Sequence, residues 1–181
     1  GFIFLRLRGI LGKRTGFEGK APSHFEKVLN NVQKDNKVAK KDNFDEQAQQ
    51  EFLKGAKIAY ETIITDFSDN DNKLTTSKSL LSKKIFDQFN EALKERSKKG
   101  HYAEITFIGV NSAEIKEHKK VNDILNVTVD FVAEIITCIK EKKKKIISGD
   151  KKKIKKIYDT WVFSRDTRSI SPNWQLVDTL T

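Results

Sequence analysis

Residues Leu125 to Lys140, LNVTVDFVAEIITCIK, place Val127, Val129, Phe131, Ala133, Ile135 and Ile139 in alternation with Thr128, Asp130 and Glu134. A period of two is the mark of a strand with one buried face, and this length predicts a curved one. Backward from it, His101 to Glu117 reads as another strand, interrupted near Gly109, where a bulge or bend is expected. Forward, Ser148, Gly149 and Asp150 predict the turn of a hairpin whose return strand runs from about Lys152 to Asp166. A last strand, Trp174 to Leu180, follows the turn that contains Pro172 and Asn173.

Upstream of these strands the period is helical. Ala48, Phe52, Ala56, Ala59, Tyr60, Ile63, Ile64 and Phe67 recur at three- and four-residue steps from Asp45, with Asp45 and Glu46 near the positive end of the helix. The turn SDNDN, Ser68 to Asn72, stops it. Leu80, Leu81, Ile85, Phe86, Phe89 and Leu93 mark a second helix, closed by KERSKK and Gly100. Helices followed by consecutive antiparallel strands describe an α+β domain, with helices packed on one face of a curved antiparallel sheet.

The chain has 181 residues, 37% of them hydrophobic and 12 of them Phe, enough for one core. The expected division is residues 1–19 as the end of a membrane helix with a basic juxtamembrane segment, 20–43 as a polar linker with one weak helix from His24 to Gln33, and 44–181 as the folded domain. Methionine is absent, even at position 1, which predicts a fragment or processed form. Cys138 is the single cysteine, so an internal disulfide is excluded and a buried small side chain is expected. The net charge of +10 favours anionic partners. It also fits the Lys-, Asn- and Ile-rich bias of an AT-rich genome, so the placement of charge carries more than its total.

Two basic segments stand out. GFIFLRLRGILGKRTG, Gly1 to Gly16, joins a short apolar start to Arg6, Arg8, Lys13 and Arg14 with no acid among them. A span needs ~20 apolar residues, so the rest of a membrane helix would lie upstream, and the basic cluster would hold the following chain on the cytoplasmic side. The alternative is a basic amphipathic arm. The second segment carries Lys140, Lys142, Lys143, Lys144, Lys145, Lys151, Lys152, Lys153, Lys155 and Lys156 on both arms of the expected hairpin. It suits anionic phospholipid headgroups. Without aromatics among the lysines of its tip it does not suit nucleic acid. The competing reading is a solvated hairpin whose lysines protect a sheet edge.

Catalytic signatures are missing: there is no GxGxxG, no phosphate-binding loop, no HExxH and no GxSxG. His24, His101 and His118 lack the spacing of a metal site. No catalytic residue, metal or cofactor is expected. Asp130, Glu134 and Asp159 are expected on the polar side of the sheet; one of them turned into a pocket would favour an enzyme. Phe107, Phe131, Tyr158, Trp161, Phe163 and Trp174 are expected mostly as core, or as the lining of a pocket for a lipid tail or apolar peptide if the sheet is strongly curved.

Four segments together resemble one family. DTWVFSRDTRSISPNWQLVDT at Asp159 to Thr179, TFIGVNSAEI at Thr106 to Ile115 and FLKGAKIAYETIITDFSDND at Phe52 to Asp71 are similar to the Tim44-like family, and RLRGILGKRTGFE at Arg6 to Glu18 resembles the segment after the membrane helix in its bacterial members, all in the family's order along the chain. The resemblance implies a cone-shaped fold of the nuclear-transport-factor-two type with a concave pocket and a membrane-facing surface. It implies a non-enzymatic adaptor at the cytoplasmic face of a bacterial inner membrane, linked to protein translocation or membrane-protein biogenesis. Eukaryotic relatives bind cardiolipin and recruit an Hsp70 chaperone to the import motor, though mostly through an N-terminal region unlike this chain. A ribosome-associated membrane adaptor and a pocket isomerase or hydrolase on the same fold are the alternatives.

Overall fold

The computed structural model describes residues 44–69, 71–141, 145–171 and 173–180. The weak helix expected from His24 to Gln33 lies outside them, as do Arg6, Arg8, Lys13, Arg14 and Lys142 to Lys144. Helix α1, Glu46–Phe67, begins where the Asp45 carboxylate accepts a 2.9 Å hydrogen bond from the Ala48 amide. Phe52, Ala56, Tyr60, Ile63, Ile64 and Phe67 form its buried stripe. Helix α2, Lys83–Lys98, is capped by Ser82, which accepts from the Ile85 amide, and buries Ile85, Phe89 and Leu93 at four-residue steps. Gly100, at φ 67°, ends it in the left-handed conformation that frees glycine from a Cβ penalty.

Leu80 and Leu81, expected on the second helix, precede it. Leu80 closes a short 3-10 turn, Lys78–Leu80, and Leu81 makes an isolated parallel bridge to Leu176. The cap explains the shift: with the Ser82 side chain bonded to the Ile85 amide, the helix starts after Ser82.

Strand β1, His101–Val121, pairs along its whole length with β2, Ile124–Glu141, through a turn in which Asn122 and Asp123 both have positive φ. Two such residues match the right-handed twist of the flanking strands and permit the tightest hairpin loop. β1 therefore runs four residues beyond its expected end at Glu117. Its register shifts between Phe107 and Gly109, where the bulge was expected, and again before Ser112 and Glu117.

The return hairpin differs from expectation. β2 first pairs with a short strand, β3, Ile146–Gly149; the chain then turns, and β4, Lys155–Asp166, pairs with β2 farther along, Ile124 to Ile135. One lysine-bearing hairpin is in fact two consecutive partners of β2. Gly149, at φ 82°, is the hinge: a Cβ there would lie 2.4 Å from the Thr137 carbonyl oxygen and 2.8 Å from the Cys138 Cα. β5, Gln175–Leu180, completes the order β1-β2-β4-β5, with β3 pairing β2 off that path. The result is the expected α+β architecture, an open antiparallel sheet with helices against one face.

Between α1 and the sheet lies a layer of rings. Tyr60 stacks on Phe131 at 4.4 Å and meets Trp161 at 4.6 Å, while Phe52 contacts Phe163 and Trp174. Each buried ring contributes about 1.5–3 kcal/mol relative to exposure. This layer fixes which strand residues face the helices and which remain on the outer face.

Candidate functional site

Alternation along β2 and β4 sorts the expected site residues onto two faces. Phe131, Trp161 and Phe163 are at most 1% exposed and fill the ring layer. Phe107 and Trp174 are only partly buried against it. Phe107 is level with Ile135 and Phe163 with Val127, eight β2 positions away, and the two rings are linked through Tyr60, which meets Phe107 at 6.1 Å, and Phe131, which meets Phe163 at 6.3 Å. Trp174, against Phe52 near Phe163, therefore lies at the opposite end from Phe107. Tyr158 lies on the outer face and is 56% exposed. The structure does not gather the six around one cavity; one residue of displacement along β4 separates Tyr158 from the core.

The carboxylates divide likewise. Asp130 is on the outer face, where its Oδ1 accepts a 2.6 Å hydrogen bond from the Thr160 hydroxyl. Glu134, level with Lys156, shares that face. Asp159 instead faces the helices, and its Oδ2 accepts a 2.6 Å hydrogen bond from the Tyr60 hydroxyl. That is a correction to its expected place on the polar side of the sheet. Burial first, and then the Asp159 carboxylate, push the Tyr60 phenol far above its ordinary pKa, so it stays a proton donor. His118 packs its ring on Phe44 at 5.1 Å. Among the described residues no cluster of His, Cys, Asp and Glu is arranged to hold a metal.

The basic end of the sheet is more organised. Glu104 on β1 is bracketed by two lysines: Lys140 bonds it directly, and Lys151 Nζ lies 3.5 Å from its Oε2. The hydrogen bond from Lys140 holds the Glu104 carboxyl below its usual range. Glu104, Thr106, Ile136, Cys138 and Lys151 line a cleft of about 100 Å³ on the outer face. The tight approach at Gly149 sets the following turn over this cleft, and the Asp150 carboxylate fixes that turn by accepting from the Lys152 amide at 2.9 Å. Lys145, Lys152 and Lys153, expected to meet lipid, are all exposed. Ile146, Ile147 and Ile154, not singled out from the sequence, are exposed among them at 42%, 44% and 56%. The interleaving KKKKIISGDKKKIKK carried that signal, hidden by attention to charge alone.

A second polar cluster missed by the sequence reading ties the α1 end to α2. Asp66, 5% exposed, accepts from the Ser77 amide and hydroxyl at 2.8 and 2.6 Å. Arg96 donates from Nε to Asn72 Oδ1 at 2.6 Å and from Nη2 to the Asp69 carbonyl at 3.0 Å. Burial lowers the Arg96 pKa to about 10.

Compared with known families, the chain matches the Tim44-like domain over residues 39–181. It belongs to the Tim44-like domain family. The match spans every helix and strand of the described residues, so the ring layer and the lysine-bearing end are parts of the Tim44-like domain. The intermembrane-space region of chloroplast protein ARC6 aligns with 71% of this chain and 96% of its own, at 10% identity and a TM-score of 0.42. No curated protein matches the chain. No described helix of this Tim44-like domain is long and apolar enough to cross a membrane.

Proposed function

We propose that this Tim44-like domain is a non-enzymatic adaptor that holds a protein partner at an anionic membrane, at the cytoplasmic face of a bacterial inner membrane. The observation that carries the reading is the family match over residues 39–181. Its relatives serve protein translocation, so the partner proposed is a component of translocation machinery or an Hsp70 chaperone. Arg6, Arg8, Lys13 and Arg14 extend the attachment at the N-terminal side, and the exposed Lys145, Lys152 and Lys153 add to it within the domain. Cardiolipin or another anionic phospholipid is the lipid proposed.

The core supports a binding module over an enzyme. Its helix-facing carboxylate, Asp159, is engaged by Tyr60, and that phenol holds its proton through the neutral range. A phenol held that far above its ordinary pKa offers no base near neutral pH.

The test is co-sedimentation of the full chain with phosphatidylcholine vesicles, with and without cardiolipin, at low and high salt, followed by crosslinking on isolated inner membranes. Salt-sensitive binding to the anionic vesicles and a defined crosslinked protein are expected. Retention on neither vesicle type would sink the membrane part, and co-sedimentation with ribosomes alone would replace it with a ribosome-bound adaptor.

A further inference from the structure

Of the exposed isoleucines, Ile58, Ile108 and Ile170 lie singly on α1, on β1 and in the loop before β5, whereas Ile146, Ile147 and Ile154 fall within one nine-residue stretch. Ile146 and Ile147 occupy β3, which is paired only with the end of β2, and a register shift between Ile139 and Lys140 leaves Ile147 opposite no residue of its own. Ile154 follows the turn anchored at Gly149. Lys145 precedes the pair, and Lys151, Lys152 and Lys153 separate it from Ile154, all four exposed. Three acids lie beside them: Asp150 accepts from the backbone of its own turn, Glu104 is engaged by Lys140 and Lys151, and Glu141, whose amide donates to the Lys145 carbonyl at 3.1 Å, sets one negative charge against the surrounding lysines. What remains is an aliphatic centre with a cationic rim.

We propose that β3 and the turn leading to β4 form a wedge that enters the headgroup layer of an anionic bilayer, with Ile146, Ile147 and Ile154 below the phosphates and Lys145, Lys152 and Lys153 on them. The proposal rests on the membrane-adaptor reading above and names the surface responsible. The complementarity is two-layered: an anionic bilayer places phosphate charge directly above hydrocarbon, and this tip places ammonium groups on long flexible stems beside branched aliphatic ones. Lysine stems reach back to the phosphates while the shorter isoleucines stay buried. A nucleic acid would use the lysines but has no use for aliphatic tips in place of stacking rings. Cys138, in the neighbouring cleft, is buried and its thiol is pushed above the ordinary pKa by burial, so it leaves the tip open to selective labelling.

The experiment uses the full chain on phosphatidylcholine vesicles with or without cardiolipin. The variant Ile146→Ser/Ile147→Ser/Ile154→Ser keeps every lysine, alters only exposed side chains, and is first shown to melt like wild type. Its partitioning onto cardiolipin vesicles is expected to fall ~10-fold or more, because hydrocarbon burial and charge act together in interfacial binding. In parallel, an environment-sensitive fluorophore on Ile147→Cys is expected to shift to the blue on these vesicles, and one on Glu61→Cys, exposed on α1, is not. Wild-type binding that the triple variant keeps, with no shift at 147, overturns the wedge while leaving the adaptor reading in place. Failure of the wild-type chain to bind either vesicle overturns both. Loss of self-association rather than of vesicle binding in the triple variant reassigns the patch to a protein contact and overturns the wedge.

Discussion

Tyr60 and Asp159 lie 99 positions apart, and the Tyr60 hydroxyl donates to the Asp159 carboxylate across 2.6 Å, tying the middle of α1 to the helix-facing side of β4. The bond sits inside the ring layer, with Phe131 stacked on the Tyr60 ring and Trp161 beside it. Losing the Tyr60 hydroxyl takes a short hydrogen bond away from a part-buried carboxylate, and bonds to charged groups are among the stronger ones.

Tyr60→Phe removes only that hydroxyl. It is expected to destabilise the domain by about 1–3 kcal/mol in urea unfolding at neutral pH. Since the folded state holds the phenol proton while an unfolded tyrosine ionises near ~10, wild-type stability from this residue is complete below that pH and declines above it. Absorbance titration should show one of the three tyrosines refusing to ionise until the chain unfolds. A Tyr60→Phe protein as stable as wild type, with the same alkaline profile, would refute this role.

Gly149→Ala is expected to cost about 1–3 kcal/mol, since the new Cβ meets the Thr137 oxygen and Cys138 Cα in a left-handed backbone. A fall in melting temperature checks it. The displaced turn should also carry Lys151 away from Glu104.

The loop after α1 carries a pH dependence of its own. Burial, with Asp71 close by, raises the Asp69 carboxyl to about 6. A raised carboxyl favours the folded state when protonated, so its contribution is present in acid and is lost as pH rises through about 6. Asp69→Asn should therefore raise the melting temperature most at pH ~7.5, less at pH ~5, and not at pH ~3, below the unfolded carboxylate's own pKa. The size is small, because Asp69 is largely solvated. Equal effects at all three pH values would remove Asp69 as the cause.

Glu104→Gln frees Lys151, and with it the positive end of the sheet. Binding to cardiolipin vesicles at low salt is expected to tighten about twofold to fivefold, the scale of one added surface lysine. Weaker or unchanged binding would place the lipid contact elsewhere.

Most of the fold was legible because its elements obey their own periods. The Asp45 cap, the α1 stripe and the alternation through Val127, Val129 and Phe131 each follow from local sequence. The bulge at Gly109 was legible too, since glycine interrupts the pattern there. What escaped was decided by tertiary contact. β3 is four residues long and exists because β2 outlasts β4 and offers it an edge. Asp159 is in phase on its strand with Ile157, Trp161 and Phe163, and Asp130 with Thr128 and Glu134, so alternation separates them; what the strand alone hides is Tyr60, 99 positions away, whose hydroxyl lets a carboxylate sit on the helix-facing side. Within the candidate site, lysine density was visible at once, whereas the three isoleucines read as ordinary strand residues until their exposure was known.

One strand, β2, is hydrogen-bonded to β1 on one side and to β4 and then β3 on the other, and it carries both Phe131 and the pairing partners of β3. Displacement of the β3 end is therefore coupled, through one continuous strand, to the level at which Phe131 packs into the ring layer.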